Sequence, residues 1–385
     1  VTAPTARSVE DLPSAAAWLY AEAEISLVRL IGRRLARGLS GGDRDPQAWA
    51  RGRLGEVSRL RRDTSALVRQ LATDGDAAAR HAVAVAWRNG DDQAVVALRD
   101  AGMPSRAPDA RHGAAVRVVA DALVGELRPV QAAILPRAED VYRRAVAGAV
   151  ARHLAAGMPL RYAAQSAWQA LVDQGVTGLT DRAGRRWRLH TWVEMAVRTA
   201  VTRAVAQAVV DRCVLAGNRF VWVTDRPGEC PLCRPFEHRV LALWGQAVDV
   251  EVSSPRAPGR LVPVRVKATL EQARAAGLHH PQCRHDLWPF VPGVTRLRAG
   301  IPDPAGWEAR QRQREIERHL RRWRAREAGA LTREAARDAA ARVAAWDAEM
   351  ERHLAGAGLD RLRHRESPGA GWEAGPARRD DPVGV

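Results

Sequence analysis

The sequence predicts a fold that is mainly α with a small α+β Cys/His-knuckled module, its long helices flanking a short-stranded sheet. Three observations lead there. Apolar residues recur at three- and four-residue steps over most of the 385 positions. The period shortens to two only after Gly217-Asn218. Three of the four cysteines fall in that strand-rich stretch, as Cys230-Pro231-Leu232-Cys233 and His280-Pro281-Gln282-Cys283-Arg284-His285.

The first helix is predicted from Pro13 to about Leu39, with Trp18, Ile25, Val28 and Leu35 on its stripe and Gly38 and Gly41-Gly42 ending it. A second opens at Asp45-Pro46, an N-cap followed by proline at the first helical position. It is expected to stop at Asp74-Gly75, and a third to follow over about 76–101. Alanine-rich helices come next at about 108–126, 129–156 and 159–174, broken at Arg128-Pro129 and Gly157-Met158-Pro159. Glycines, Thr180 and Asp181 make 174–188 a loop, with Arg182, Arg185, Arg186 and Arg188 around Trp187. A helix from about His190 to Ala216 buries Val193, Val197, Val201, Ala204 and Ala208, and Cys213 on it reads as a core residue.

Strands are predicted at Arg219–Thr224, Arg239–Trp244, Val248–Val252 and Leu261–Val266, and a short helix at about 269–276. Helix returns from Trp307 to Leu354 with one break near Gly329, and the tail after Glu366 has a disordered composition. In chain order this gives a helical region 1–174, a loop, long helix and Cys/His module 175–300, a basic helical region 301–365 and a tail 366–385.

Sixty basic against 44 acidic residues give a formal charge of +16, nearly all of it arginine; Lys267 is the only lysine. The excess favours a polyanionic neighbour, nucleic acid or an acidic protein surface. Four cysteines in a chain of this length do not make a disulfide framework, which fits a reducing compartment. No run of 18 apolar residues predicts a membrane span, and Val1-Thr2-Ala3-Pro4 does not read as a secretion signal.

A Cys-x2-Cys turn followed by a distant His/Cys turn is what a tetrahedral Zn2+ site needs, because two soft donors converge from each side. Cys230, Cys233 and Cys283 would supply three ligands, and His280 or His285 the fourth, with His280 favoured by the rigid Pro281. With no carboxylate placed to suggest an open position, such a zinc reads as structural. A metal-free turn of the same shape and a redox Cys-x2-Cys are the competing readings. On the C-terminal helix, Arg310, Arg312, Arg314, Arg318, Arg321, Arg322, Arg324 and Arg326 face few acids, while Ile316, Leu320 and Trp323 form one apolar stripe. This is either an amphipathic helix packed on the protein or a surface for DNA phosphates or an acidic partner.

Several blocks, in order, resemble the phage minor capsid protein 2 family, within the wider group of MuF-like head-morphogenesis proteins. They are Gly175-Val176-Thr177 with Thr180-Asp181-Arg182-Ala183-Gly184-Arg185 and Trp187; Glu194-Met195 and Arg198-Thr199; the two knuckles; Pro289-Phe290 and Pro292-Gly293; and Gln311-Arg312, Glu317-Arg318 and Arg321-Arg322-Trp323. The resemblance covers roughly residues 110–365. Many MuF-like relatives close the second knuckle with Cys-Arg-Cys, where this chain has Cys283-Arg284-His285. The resemblance implies a minor virion protein, present in the host cytoplasm during assembly and then at the portal vertex or head interior. It implies portal and capsid or scaffold proteins as partners, packaged double-stranded DNA as a further candidate, and neither membrane nor small-molecule substrate. The chain is expected not to be an enzyme. The sequence lacks the P-loop, Gly-x-Ser-x-Gly and His-Glu-x-x-His patterns. The alternative is a zinc-containing nucleic-acid-binding protein or an HNH-like nuclease with His279, His280 or His285 as base; Asp286 is near, but a coherent hard-cation ligand set is missing.

Overall fold

A computed structural model describes residues 9, 11–39, 45–104, 110–181, 183–225, 231–297 and 303–366. Helices dominate: α1 (Leu12–Ala36), α2 (Pro46–Leu54), α3 (Val57–Asp100), α4 (Ala110–Ala132), α5 (Ile134–Ala156), α6 (Leu160–Gln174), α7 (Leu189–Leu215), α8 (Leu270–Ala275), α9 (Pro304–Ala328) and α10 (Arg333–Ala357). The strands are short: β1 (Leu179–Thr180), β2 (Arg186–Trp187), β3 (Phe220–Val223), β4 (Val240–Ala242), β5 (Val250–Ser254), β6 (Ala257–Val264), β7 (Val266–Thr269) and β8 (Leu287–Pro289).

Two compact units interleave along the chain. One comprises Val1–Ala78, Gly125–Glu194 and Arg312–Val385; the other comprises Ala79–Val124 and Met195–Gln311.

The first unit is helical, apart from the β1–β2 ribbon. Its core holds Tyr20, Leu27, Ile31, Leu60, Tyr142 and Trp168, all essentially inaccessible to solvent. Several termini are fixed locally. The Asp45 carboxylate accepts from the Gln47 amide at 2.9 Å, Thr332 caps α10 through the Ala335 amide at 3.1 Å, and Gly157 and Gly358 close α5 and α10 at φ +62° and +61°. The ribbon turn is organised by Asp181. Its carboxylate accepts from the Ala183 and Arg185 amides, the Arg185 guanidinium and the Trp187 indole at 2.7–2.9 Å. The Trp187 bond leads these contacts in holding the Asp181 carboxyl down at about 2. The loop's aspartate and tryptophan are therefore spent on one turn.

The second helix differs from the expectation. It ends at Leu54, and α3 then runs unbroken through Gly75. The glycine does not stop the helix because its role is contact: a Cβ there would lie 2.6 Å from the Tyr20 hydroxyl oxygen, which accepts from Gln131 at 2.7 Å. Pro129 likewise sits inside α4, and the break falls at Ala133. The ring forfeits the bond to the carbonyl four residues back, and the helix runs on for only three residues beyond it.

The second unit holds a four-stranded sheet in the order β7-β4-β3-β8 and a separate β5–β6 hairpin. β3 pairs antiparallel with β4 and β8, whereas β4 pairs parallel with β7. The predicted strand Leu261–Val266 is divided between two sheets: β6 starts earlier, after a turn at Pro255-Arg256, and β7 begins after Arg265. Pro289 is tolerated because β8 is an edge strand. Beneath the sheet Val209, Val221, Leu241, Ala273 and Leu287 form one core with Cys213, Cys233 and Cys283. Gly90 of α3 lets α7 approach, since a Cβ would meet the Val205 carbonyl oxygen at 2.6 Å.

Candidate metal centre

The two knuckles converge in the second unit. Cys233 lies on the β3–β4 connection, at the N-terminus of a 3-10 helix over Arg234–Phe236. Cys283 and His285 enter β8. The second knuckle is fixed to α7: Thr202 Oγ1 donates to the Cys283 carbonyl at 3.1 Å and Arg198 Nε to Gln282 Oε1 at 3.0 Å. A backbone turn, Cys283 N–H to His280 O at 2.9 Å, sets its direction. Among the described residues the non-glycine positions with φ > 0 are His238, His279 and Gln282, all in this module. Such conformations cost about 1–3 kcal/mol each and persist where the surroundings over-determine them.

Cys233 Sγ and Cys283 Sγ are 3.5 Å apart, and Cys283 Sγ is 3.6 Å from His285 Nδ1. Both cysteines are in the thiol form. The ligand atoms of Cys233, Cys283 and His285 all lie within 4.8 Å of one another, and all three residues are buried. A tetrahedral ion with ordinary Zn–S and Zn–N bonds requires S···S and S···N edges of about 3.8 Å and about 3.6 Å. The two edges through Cys283 are thus close to coordination spacing, and two thiols with an imidazole suit Zn2+ better than a hard cation.

The electrostatics agree. The Cys233 hydrogen bond, with the His285 side chain and backbone, outweighs burial and holds the Cys283 thiol well below its usual range. For His285 burial opposes the charged form, but the Cys283 and Glu237 contacts outweigh it and push the imidazole up. His279 is the contrary case: burial brings its ring down to about 4 despite the nearby Cys283, so it is neutral. Cys213 takes no part. Burial, against the opposing Asn218 hydrogen bond, pushes its thiol up to about 12, as for a core residue.

Of the two histidines weighed for the fourth position, the group contains His285. His280 lies outside it, its Nδ1 2.6 Å from the Pro281 carbonyl oxygen. Cys230 and the tail lie outside the described residues. Sequence reasoning missed Glu237, whose Oε1 is 2.5 Å from His285 Nε2. Only its place four residues after Cys233 could have drawn attention to it.

The arginines of α9 are largely engaged by this chain's own acids. Arg312 bonds Glu315 and Glu349, Arg322 and Arg326 share Asp173, Arg324 reaches Asp347 and Glu366, and Arg310 lies 3.6 Å from Asp303. Arg321 donates to the Arg365 carbonyl. Arg314 is half-buried and Arg318 exposed.

Fold and site define a mainly helical protein whose small sheet carries a buried thiol–imidazole group. The chain belongs to the phage minor capsid protein 2 family, whose model matches residues 5–355. It is therefore a phage structural protein, and its family implies a place in the virion. No curated protein and no solved structure matches it. Among the described residues no helix is long and apolar enough to cross a membrane.

Proposed function

We propose that this protein is a non-enzymatic part of a tailed-phage or prophage head, seated at the portal vertex and head interior. There it assists head assembly or DNA packaging and delivery. The family match over residues 5–355 carries this reading. The partners are portal protein and capsid or scaffold proteins, with packaged double-stranded DNA as a further candidate. The positive excess suits a protein facing DNA or acidic surfaces. Purified particles should contain the protein together with portal, and its deletion should give empty or non-infectious heads. Infectious, filled particles from the deletion would overturn the assignment.

Within this role Cys233, Cys283 and His285 hold a structural Zn2+, and the knuckle spacing offers Cys230 as the fourth donor. The ion fastens the β3–β4 connection to the entry of β8, two segments that few backbone bonds would otherwise join. The soft, buried donor set supports this over the nuclease alternative, which needs an accessible hard-cation site. Metal analysis of protein purified under reducing conditions should find about one zinc per chain. Metal-free protein with an unchanged melting curve would remove the structural ion.

A further inference from the structure

We propose that Glu237 is the positioning residue of this centre, holding His285 through Nε2 so that Nδ1 is the metal-binding nitrogen. The inference rests on the metal reading above and adds a residue and an atom to it.

His285 Nε2 is 2.5 Å from Glu237 Oε1, and Nδ1 is 3.6 Å from Cys283 Sγ. A carboxylate only accepts, so the imidazole proton belongs on Nε2 and the lone pair is left on Nδ1, on the side of the thiols. Both partners are shielded, with side-chain exposures of 4% for His285 and 10% for Glu237. The carboxylate is itself located by backbone: Glu237 bridges Val223 in parallel fashion, and its amide donates to the Arg234 carbonyl at 3.3 Å. Glu237 therefore travels with Cys233 on one knuckle and grips a ligand delivered by the other. A ligand histidine that donates its second N–H to a carboxylate is fixed in tautomer and ring orientation, and it becomes a more basic donor.

The same three residues in a cleft would read as thiol nucleophile, base and orienting acid. Two observations favour the ion instead. Cys283 and His285 are each 3% exposed. A second thiol, Cys233, lies 3.5 Å from Cys283, so that two soft donors and an imidazole converge on one point, the donor set of a zinc site.

The test uses the full chain, loaded with Zn2+ or Co2+ under reducing conditions. In zinc-loaded wild type with 15N-labelled histidine, long-range 1H–15N correlations should show one ring ligating through Nδ1 and protonated at Nε2. Glu237→Ala should lower Zn2+ affinity, measured against a chromophoric chelator, by about 10–100-fold. It should shift the Co2+ ligand-field bands while keeping the thiolate charge-transfer band. Glu237→Gln, which retains an acceptor, should recover much of the loss. A merely structural glutamate would move melting without moving the bands or the correlation pattern. Ligation through Nε2, or Glu237→Ala affinity and bands equal to wild type, would overturn the positioning role and leave the metal standing. Wild type that binds neither ion would overturn both. Rapid alkylation of Cys283 in the zinc-loaded protein would favour the nucleophile reading and sink this one.

Discussion

The two units are held together by different chemistry. In the helical unit the polar ties are guanidinium–carboxylate pairs spread over many sites: Asp173 takes both Arg322 and Arg326, Arg361 joins Asp347 to Glu366, and Arg34 meets Asp63. The strand-bearing unit has such a pair between its helices, Arg212 with Asp91, but around its strands of three to eight residues the polar tie is one thiol–imidazole–carboxylate chain. Distributed ties make each one dispensable. A concentrated tie makes one residue decisive, because short strands bury too little apolar surface to hold two knuckles by packing alone.

The sharpest break of this contrast is Cys283→Ser. It removes a soft ligand, and structural zinc contributes on the order of 10 kcal/mol to folding. Hydrogen exchange should then show protection lost across β3, β4 and β8 and kept in α5 and α6. Equal loss in both units would mean that stability is not partitioned as described.

Next in size is Trp168→Ala in the helical unit. The indole is fully buried, and its N–H donates to the Gly329 carbonyl at 2.8 Å. Truncation leaves a cavity and an orphaned carbonyl, at about 3–5 kcal/mol. Urea titration followed by circular dichroism measures it; a cost under about 1 kcal/mol would show that the surrounding helices collapse freely into the space.

A smaller effect depends on pH. Glu24 and His190 face each other at 3.3 Å in the helical core, beside Arg188 and Arg321, around a small cavity. For Glu24 burial opposes ionisation, but the His190 bond and the charges of His190 and Arg188 outweigh it and hold the carboxyl below its ordinary range. Burial, aided by Arg321, depresses His190 against the pull of Glu24. Both folded values lie under the unfolded ones, so the unfolded chain binds more protons in acid. Stability from His190 is complete above about pH 6.5 and declines as pH falls below it; the Glu24 contribution declines below about pH 4.3. Each group limits the slope to about 1.4 kcal/mol per pH unit. Urea midpoints between pH 7 and 5 should fall, and His190→Gln should flatten that interval. Because His285 and His279 add slopes of opposite sign, the difference between the two proteins is the test, and equal slopes would contradict the assignment.

Legibility in the sequence followed the range of the interaction. The first helix, the long helix through Val193–Val209 and the break near Gly329 were readable because periodicity and glycine act locally. Gly75 was misread because its reason is Tyr20, 55 positions away in sequence. The Leu261–Val266 pattern could not show that its two ends join different sheets, since both Val264 and Val266 are buried. Soft-ligand spacing brought Cys233, Cys283 and His285 into view, while Glu237 belongs to no spacing rule. The arginines of α9 looked unneutralised because their partners, Asp173, Asp347, Glu349 and Glu366, come from other segments.

The smallest expected effect tests that last point. Arg318 is exposed, whereas Arg326 is bonded to a half-buried Asp173 whose carboxyl, against the cost of burial, is held down by Arg326 and Arg322. Arg318→Ala should change stability by no more than about 0.5 kcal/mol, whereas Arg326→Ala should cost about 1–2 kcal/mol after allowance for solvent screening. If α9 meets packaged DNA, Arg318 is the side chain available to a phosphate. Its loss should weaken binding to duplex of any sequence and reduce the dependence of log K on log salt by about one contact. Asp173→Asn supplies the converse, because weakening the hold on Arg322 and Arg326 should strengthen the same binding. Equal stability losses for Arg318→Ala and Arg326→Ala would erase the distinction between arginines that hold the helical unit together and arginines left for a partner.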